Sequence, residues 1–211
     1  MSEEFELEQE PESAAGIFGA GIDQARDYAT ALVLDADLLG LLGPREMPKL
    51  WTRHILNSAV VAEVLVAGES VADVGSGAGL PGIPMAIARP DVHFTLIEPM
   101  ERRATWLQEQ VHTLELNNVT VLRARAEEVL DRKFDTVTAR AVSALPKLLR
   151  MTVPLMKPGG RLVALKGSKV YDEIADAELL KKKLKIAKFE VLFTGEQLLA
   201  DPTLVAVARL N

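Results

Sequence analysis

The sequence predicts an α/β fold: a mostly parallel sheet of seven strands with helices on both faces, and further helices added before the first strand. Three observations lead there. From residue 70, short apolar runs alternate with segments of helical period, the pattern of a parallel sheet covered on both faces. A glycine-rich turn, Gly75-Ser-Gly77-Ala-Gly79, joins the first of these runs to the next helical segment. The last two apolar runs, 187–194 and 203–209, read as a closing antiparallel pair, their connection from Gly195 to Pro202 being too long for a tight hairpin.

In chain order the elements begin after an acidic tail. Six glutamates (Glu3, Glu4, Glu6, Glu8, Glu10 and Glu12) lie in the first dozen residues with few apolar anchors, so residues 1–12 are expected to be disordered. Residues 13–66 read as a helical extension. Apolar residues at helical spacing run from Ile22 to Leu42, and Gly43-Pro44 breaks the pattern. A second helix is expected from Pro48 to Val66, with Leu50, Trp51, Ile55, Leu56, Ala59 and Val60 as its apolar stripe. Residues 67–211 carry the sheet, with strands expected at 70–74, 93–97, 119–123, 134–139 and 160–166. Helices are expected at 82–88, 100–115, 144–156 and 171–184, the third ended by Lys157-Pro-Gly-Gly160. A chain of 211 residues suits one globular unit with its extension.

Composition excludes several functions. No run of apolar residues is long enough to span a membrane, and the acidic N-terminus lacks the basic and apolar regions of a secretory signal, so a cytoplasmic protein is expected. The absence of cysteine rules out disulfides, thiolate metal sites and any cysteine nucleophile. No residue spacing spells a metal site. The net charge of −6 hides an uneven distribution, because removing the six tail glutamates from the 30 acids leaves 24 against 24 bases. Between Arg140 and Lys188 twelve bases meet four acids, a stretch able to bind a long polyanion. A solvated helix surface accounts for Lys181-Lys-Lys183 equally well.

The chemistry is carried by Val71-Ala-Asp73-Val-Gly75-Ser-Gly77-Ala-Gly79-Leu-Pro81-Gly82, followed by Glu98. Gly75, Gly77 and Gly79 permit backbone conformations that a Cβ forbids and let the main chain touch a ligand. Asp73 stands at the carboxyl edge of the first strand, where it suits the amino group and positive sulfonium of S-adenosylmethionine. Glu98 closes the second strand, where a ribose diol needs a paired acceptor. The rival is a dinucleotide loop, Gly-x-Gly-x-x-Gly. Counted from Gly75 that pattern fails at Leu80; counted from Gly77 it is filled by Leu80 and Pro81, and proline offers a pyrophosphate no N–H. The acid before the glycines also disfavours an anionic ligand. The loop therefore reads as a methyltransferase cofactor site.

The same loop, extended to Ile83-Pro84, occurs with Arg53-His-Ile-Leu-Asn57-Ser58 and Ala164-Leu-Lys166-Gly167. In these segments, in their order and spacing, the chain resembles the small-subunit ribosomal RNA methyltransferase G family, from about residue 22 to the C-terminus. The resemblance implies a Rossmann-like, class I S-adenosylmethionine-dependent methyltransferase fold with helices added before the first strand. It implies methyl transfer to N7 of one guanine in small-subunit rRNA, the substrate being the free RNA or a ribosomal subunit; the chain itself is read as a monomer. It also implies cofactor contacts at Gly75, Leu80, Ala126, Glu127 and Arg140.

Guanine N7 has an in-plane lone pair and needs no deprotonation, so positioning dominates and no general base is required. Amine-directed adenine methyltransferases carry an Asn/Asp-Pro-Pro-aromatic loop after the fourth strand; here the position reads Thr138-Ala-Arg140-Ala-Val-Ser143. Arg140 at that strand end is the positioning candidate, its fork of donors suited to a cofactor carboxylate or an RNA phosphate. Glu127, or the backbone of Ala126, suits the adenine amine, although an acid in a first helical turn needs no ligand to explain it. Arg53, His54 and Asn57, at spacings that share an α-helical face, are candidates for RNA contact or for a buried brace. Lys166 and Lys169 are the phosphate candidates. An RNA-binding assembly factor without catalysis, and a methyltransferase for another substrate, are the competing readings.

Overall fold

The computed structural model describes residues 6–211. Seven strands form one sheet: β1 (Ser70–Val74), β2 (His93–Ile97), β3 (Val119–Leu122), β4 (Phe134–Arg140), β5 (Met156–Leu165), β6 (Ile186–Thr194) and β7 (Thr203–Leu210). Their spatial order is β3-β2-β1-β4-β5-β7-β6. β7 runs antiparallel to both β5 and β6, and the other pairs are parallel. The order reverses between β1 and β4, so the strand ends diverge there and leave a crevice at their carboxyl edge.

Side-chain alternation explains why both faces are covered. Ala72 and Val74 of β1 join a core with Leu148, Leu149 and Ala164, whereas Val71 points to the opposite core with Met85 and Phe94. Helices α4 (Gly82–Ala88), α5 (Glu101–Thr113), α6 (Leu145–Thr152) and α7 (Val170–Glu178) supply the outer layers. Before the sheet, α1 (Ser13–Phe18) and α2 (Ile22–Leu39) pack Phe18, Tyr28 and Leu32 against Ile83 and Leu107. Among the described residues, no helix is long and apolar enough to cross a membrane.

Three expectations need correction. The second helix is not one α-helix: tight 3-10 turns (Pro44–Lys49) lead into a π-helical segment (Leu50–Leu56), the short α3 (Asn57–Ala59) and a further 3-10 stretch (Val60–Val64). A π turn bonds i to i+5 and is wider than an α turn, yet the expected apolar stripe, Leu50, Trp51, Ile55, Leu56, Ala59 and Val60, is buried throughout. Lys157-Pro-Gly-Gly160 is not a turn ahead of the strand; β5 starts at Met156, and these residues absorb a register shift opposite Asp135.

The acidic tail is the third. Residues 1–5 lie outside the described residues, but residues 6–12 are held on the body. Glu8 accepts the N–H groups of Trp51 (2.7 Å) and Thr52 (3.0 Å), and Glu10 pairs with Arg26. Glu8 thus caps the start of the π-helical segment from 43 residues away. Glu8→Ala is expected to lower stability by about 1–2 kcal/mol, the worth of a lost helix cap. Chemical unfolding checks this, and an unchanged midpoint would mean that water caps the segment as well.

Candidate active site

The glycine turn follows directly from β1. Gly75 and Ser76 donate to the carbonyl of Ile97, which ties the turn to the end of β2. Gly77 adopts φ +56°, and a Cβ built there meets nothing nearer than 3.8 Å, so a left-handed residue faces open space. Gly82 serves another purpose. A Cβ there would lie 2.3 Å from Leu96 Cδ2 and 2.7 Å from Asp73 Oδ2, so only glycine lets α4 start this close to β1.

Both acids meet this turn. Asp73 is fully buried; its Oδ2 accepts from the Gly82 N–H at 3.1 Å, while Oδ1 is buried without a partner. Burial raises its pKa to about 7, despite the Gly82 hydrogen bond that lowers it. Glu98 is also buried and spans the turn, Oε2 accepting from Gly77 N–H (2.9 Å) and Oε1 from Met100 N–H (2.8 Å). A carboxylate has about four acceptor sites, so Glu98 retains capacity for hydroxyl donors. An orphaned acidic oxygen beside an open glycine cradle fits a ligand that brings a positively charged N–H donor, as S-adenosylmethionine does. Tyr28 of α2, a residue hidden from sequence reasoning in an apolar helical stripe, donates its hydroxyl to Ala78 O at 2.6 Å and braces the turn from below.

Across the switch point, Arg140 ends β4 and lines a cavity of about 610 Å³. Arg53, Asn57, Ser143, Lys166 and Glu173 share that lining. The Arg140 guanidinium donates to His54 Nδ1 (2.5 Å), His54 O (3.2 Å) and Ser58 Oγ (3.1 Å). Among the described residues no carboxylate forms an ion pair with it. His54 Nε2 lies 2.7 Å from Glu46 Oε2. An arginine can only donate, so Nδ1 accepts and Nε2–H donates to Glu46. Burial, with the Arg140 charge second, pushes the His54 pKa down to about 4, against the pull of Glu46.

The remaining candidates divide. Leu80 is buried in the turn, and Ala126 is buried while Glu127 is exposed, both in a helical turn after β3 at the same edge of the sheet. Arg53 and Asn57 line the cavity, but His54 turns inward, 4% exposed with both ring nitrogens engaged. A direct RNA contact at His54 is therefore corrected to a buried brace, because the ring is enclosed and both of its nitrogens are taken by protein partners. Lys166 is also corrected as a free phosphate contact: its Nζ sits 2.7 Å from Glu173 Oε2 and 2.8 Å from Ser143 O. Glu173 in turn accepts from Leu145 N–H at 2.6 Å, so this pair fastens the loop after β4 to α7. Lys169 is exposed just before α7.

The basic stretch is less basic in space than in sequence. Lys157, Arg161, Lys166, Lys181 and Lys188 pair with Asp135, Glu69, Glu173, Glu178 and Glu190. Lys147 and Arg150 on α6, and Lys169 just before α7, are exposed and form no ion pair among the described residues.

Comparison with known proteins identifies the family and the fold. The family described as rRNA small subunit methyltransferase G matches residues 21–202. A Ribosomal RNA small subunit methyltransferase G from Clavibacter michiganensis subsp. michiganensis is 50% identical over 211 residues, covering 100% of both chains. One of the same name from Leifsonia xyli subsp. xyli is 52% identical over 206 residues, 97% of this chain and 98% of its own. Among solved structures, M. jannaschii TYW2 in complex with AdoMet superposes with TM-score 0.58 at 22% identity, covering 75% of this chain and 76% of that one. A SAM-dependent methyltransferase from Aquifex aeolicus gives TM-score 0.55 at 19% identity, covering 81% and 100%. These distant structures share the fold, and the half-identical relatives share the whole chain: the protein belongs to the rRNA small subunit methyltransferase G family.

Proposed function

We propose that this S-adenosylmethionine-dependent methyltransferase acts on N7 of a guanine in small-subunit rRNA. The observation that carries the reading is the full-length identity of about one half to relatives named as ribosomal RNA small subunit methyltransferases. When bound, S-adenosylmethionine supplies a methyl carbon already activated by positive sulfur. Asp73 and the glycine turn hold the amino-acid end, Glu98 accepts from the ribose, and the turn at Ala126 and Glu127 faces the base. Arg140 stands between this cradle and the cavity, where it orients a carboxylate or phosphate. The cavity receives the guanine, its volume of about 610 Å³ falling within the range of about 300–1,000 Å³ usual for ligand pockets. No side chain has to remove a proton from N7, so positioning carries the step. Exposed Lys147, Arg150 and Lys169 track the phosphates. The protein is read as a cytoplasmic monomer, which sedimentation tests.

Transfer of labelled methyl to small ribosomal subunits and to deproteinised rRNA, with the modified nucleoside identified, tests the reading. N7-methylguanosine at one site supports it and shows which substrate form is used. Cofactor binding without transfer to either RNA form would leave a non-catalytic RNA-binding role, or another substrate.

The buried Asp73 makes cofactor binding pH-dependent. Its folded pKa of about 7 lies above the ordinary 3.8, so this group stabilises the free protein at low pH and loses that contribution as pH rises from about 4 through 7. A cationic ligand prefers the ionised form. Cofactor affinity is therefore expected to rise with pH through about 7, with a proton released on binding below that value. Calorimetry in buffers of different ionisation enthalpy reads the proton directly; no release at pH 6 would place the ligand's charge away from Asp73.

A further inference from the structure

We propose that Glu46 and His54 are positioning residues that hold the Arg140 guanidinium in place through a neutral acceptor, so that its charge stays available to a ligand anion. This rests on the active-site reading above and goes beyond it, because neither residue needs to touch cofactor or RNA.

The contacts are one-sided. Arg140 is fixed by His54 Nδ1, His54 O and Ser58 Oγ, all supplied by the segment ahead of the sheet, and none of these acceptors carries a formal charge. The other cavity-side cations are treated differently. Lys166 is neutralised by Glu173, and the more exposed Arg53 lies 3.7 Å from Glu46. A carboxylate in the place of His54 would grip Arg140 more firmly and cancel the charge that makes it useful. An imidazole acceptor fixes direction without cancelling charge.

Glu46 sets the tautomer. Its carboxylate accepts Nε2–H at 2.7 Å, which leaves Nδ1 bare toward Arg140. Ser58 locks the backbone of the same turn, since its hydroxyl donates to His54 O at 2.6 Å while its oxygen accepts from Arg140. Within this π-helical segment and the turn after it, the ring is turned inward while Arg53 and Asn57 line the cavity. The low pKa of His54 keeps the ring an acceptor at neutral pH.

Asparagine and glutamine at position 54 separate this role from simple packing. An Asn amide oxygen falls near the Nδ1 position and can still accept from Arg140; a Gln amide reaches toward Glu46 and leaves Arg140 without its side-chain acceptor. His54→Gln is expected to lose about 10- to 100-fold in kcat/KM, the usual effect of removing an orienting partner. His54→Asn is expected to retain activity within about fivefold of the wild type, although both variants lose a similar amount of packing. In an Arg140→Ala background the two substitutions should differ by less than about twofold, as residues acting through one another do. Glu46→Ala, at a partly exposed site that water can enter, provides a second measurement with an expected fall of about 3- to 10-fold, together with a limited loss of melting temperature from the unpaired Nε2–H.

Steady-state methyl transfer and thermal unfolding are measured for all variants. The Asn-over-Gln order, abolished without Arg140, supports the proposal. Equal losses in the two variants, losses that follow melting temperature alone, or an order that persists without Arg140 would overturn it. Failure of the wild type to methylate RNA would instead sink the functional reading, so the two failures are distinguishable.

Discussion

Gly77→Asp is expected to abolish cofactor binding and to leave a folded protein. The space beside Gly77 is open in the free chain, the nearest atom to a Cβ at that position being 3.8 Å away, so an aspartate side chain fits without a clash. Its backbone cost is modest, since φ +56° is a left-handed conformation that aspartate visits more readily than most residues, at about 1–2 kcal/mol. Its effect on the ligand is large. The new carboxylate occupies the cradle, taking the space where the ligand must approach the backbone. A loss of at least about 100-fold in affinity, near 3 kcal/mol, is expected. Calorimetric titration with S-adenosylmethionine, alongside thermal unfolding, separates the two effects. Near wild-type affinity would move the cofactor away from this turn. Gly82→Ala should behave in the opposite way, because its Cβ runs into Leu96 and Asp73 within the protein itself.

Arg140→Ala carries the second large effect. The substitution removes the one cation that stands between cradle and cavity without an acidic partner among the described residues, and activity per folded molecule should fall about 100- to 1,000-fold, as when a preorganised donor is lost from a polar site. Stability should fall far less. His54 Nδ1 and Ser58 Oγ lose a donor, at a cost of about 1–3 kcal/mol, unless water enters from the cavity. An unfolding shift of several kcal/mol with unchanged specific activity would show that the arginine only braces the fold.

Much of the fold was legible because its signals are local. The alternation of apolar runs marks strands, and the positions of β1, β2 and α4 match the expected bounds to the residue. The closing pair at the C-terminus is antiparallel, as expected, and it closes the sheet on the far side of β5. The helical extension was harder to read. Its apolar spacing is compatible with an α-helix, but Pro48 removes a backbone donor, and a remote glutamate caps a wider turn that periodicity does not announce.

The site divides along the same line. Asp73, the three glycines and Glu98 stand on neighbouring strand ends, so their meeting follows from strand order alone. The sequence by itself determined that cradle and the absence of cysteine chemistry, because a glycine's conformational freedom and a strand-end carboxylate are properties of one short segment. Only the tertiary structure decided which charges are free. Lys166 meets Glu173, Arg140 meets a neutral histidine 86 residues away, and Glu8 reaches across to Trp51. These pairings depend on which segments the packed chain brings within about 3 Å of each other, where hydrogen bonds form, and that is set by the whole fold and not by any local pattern.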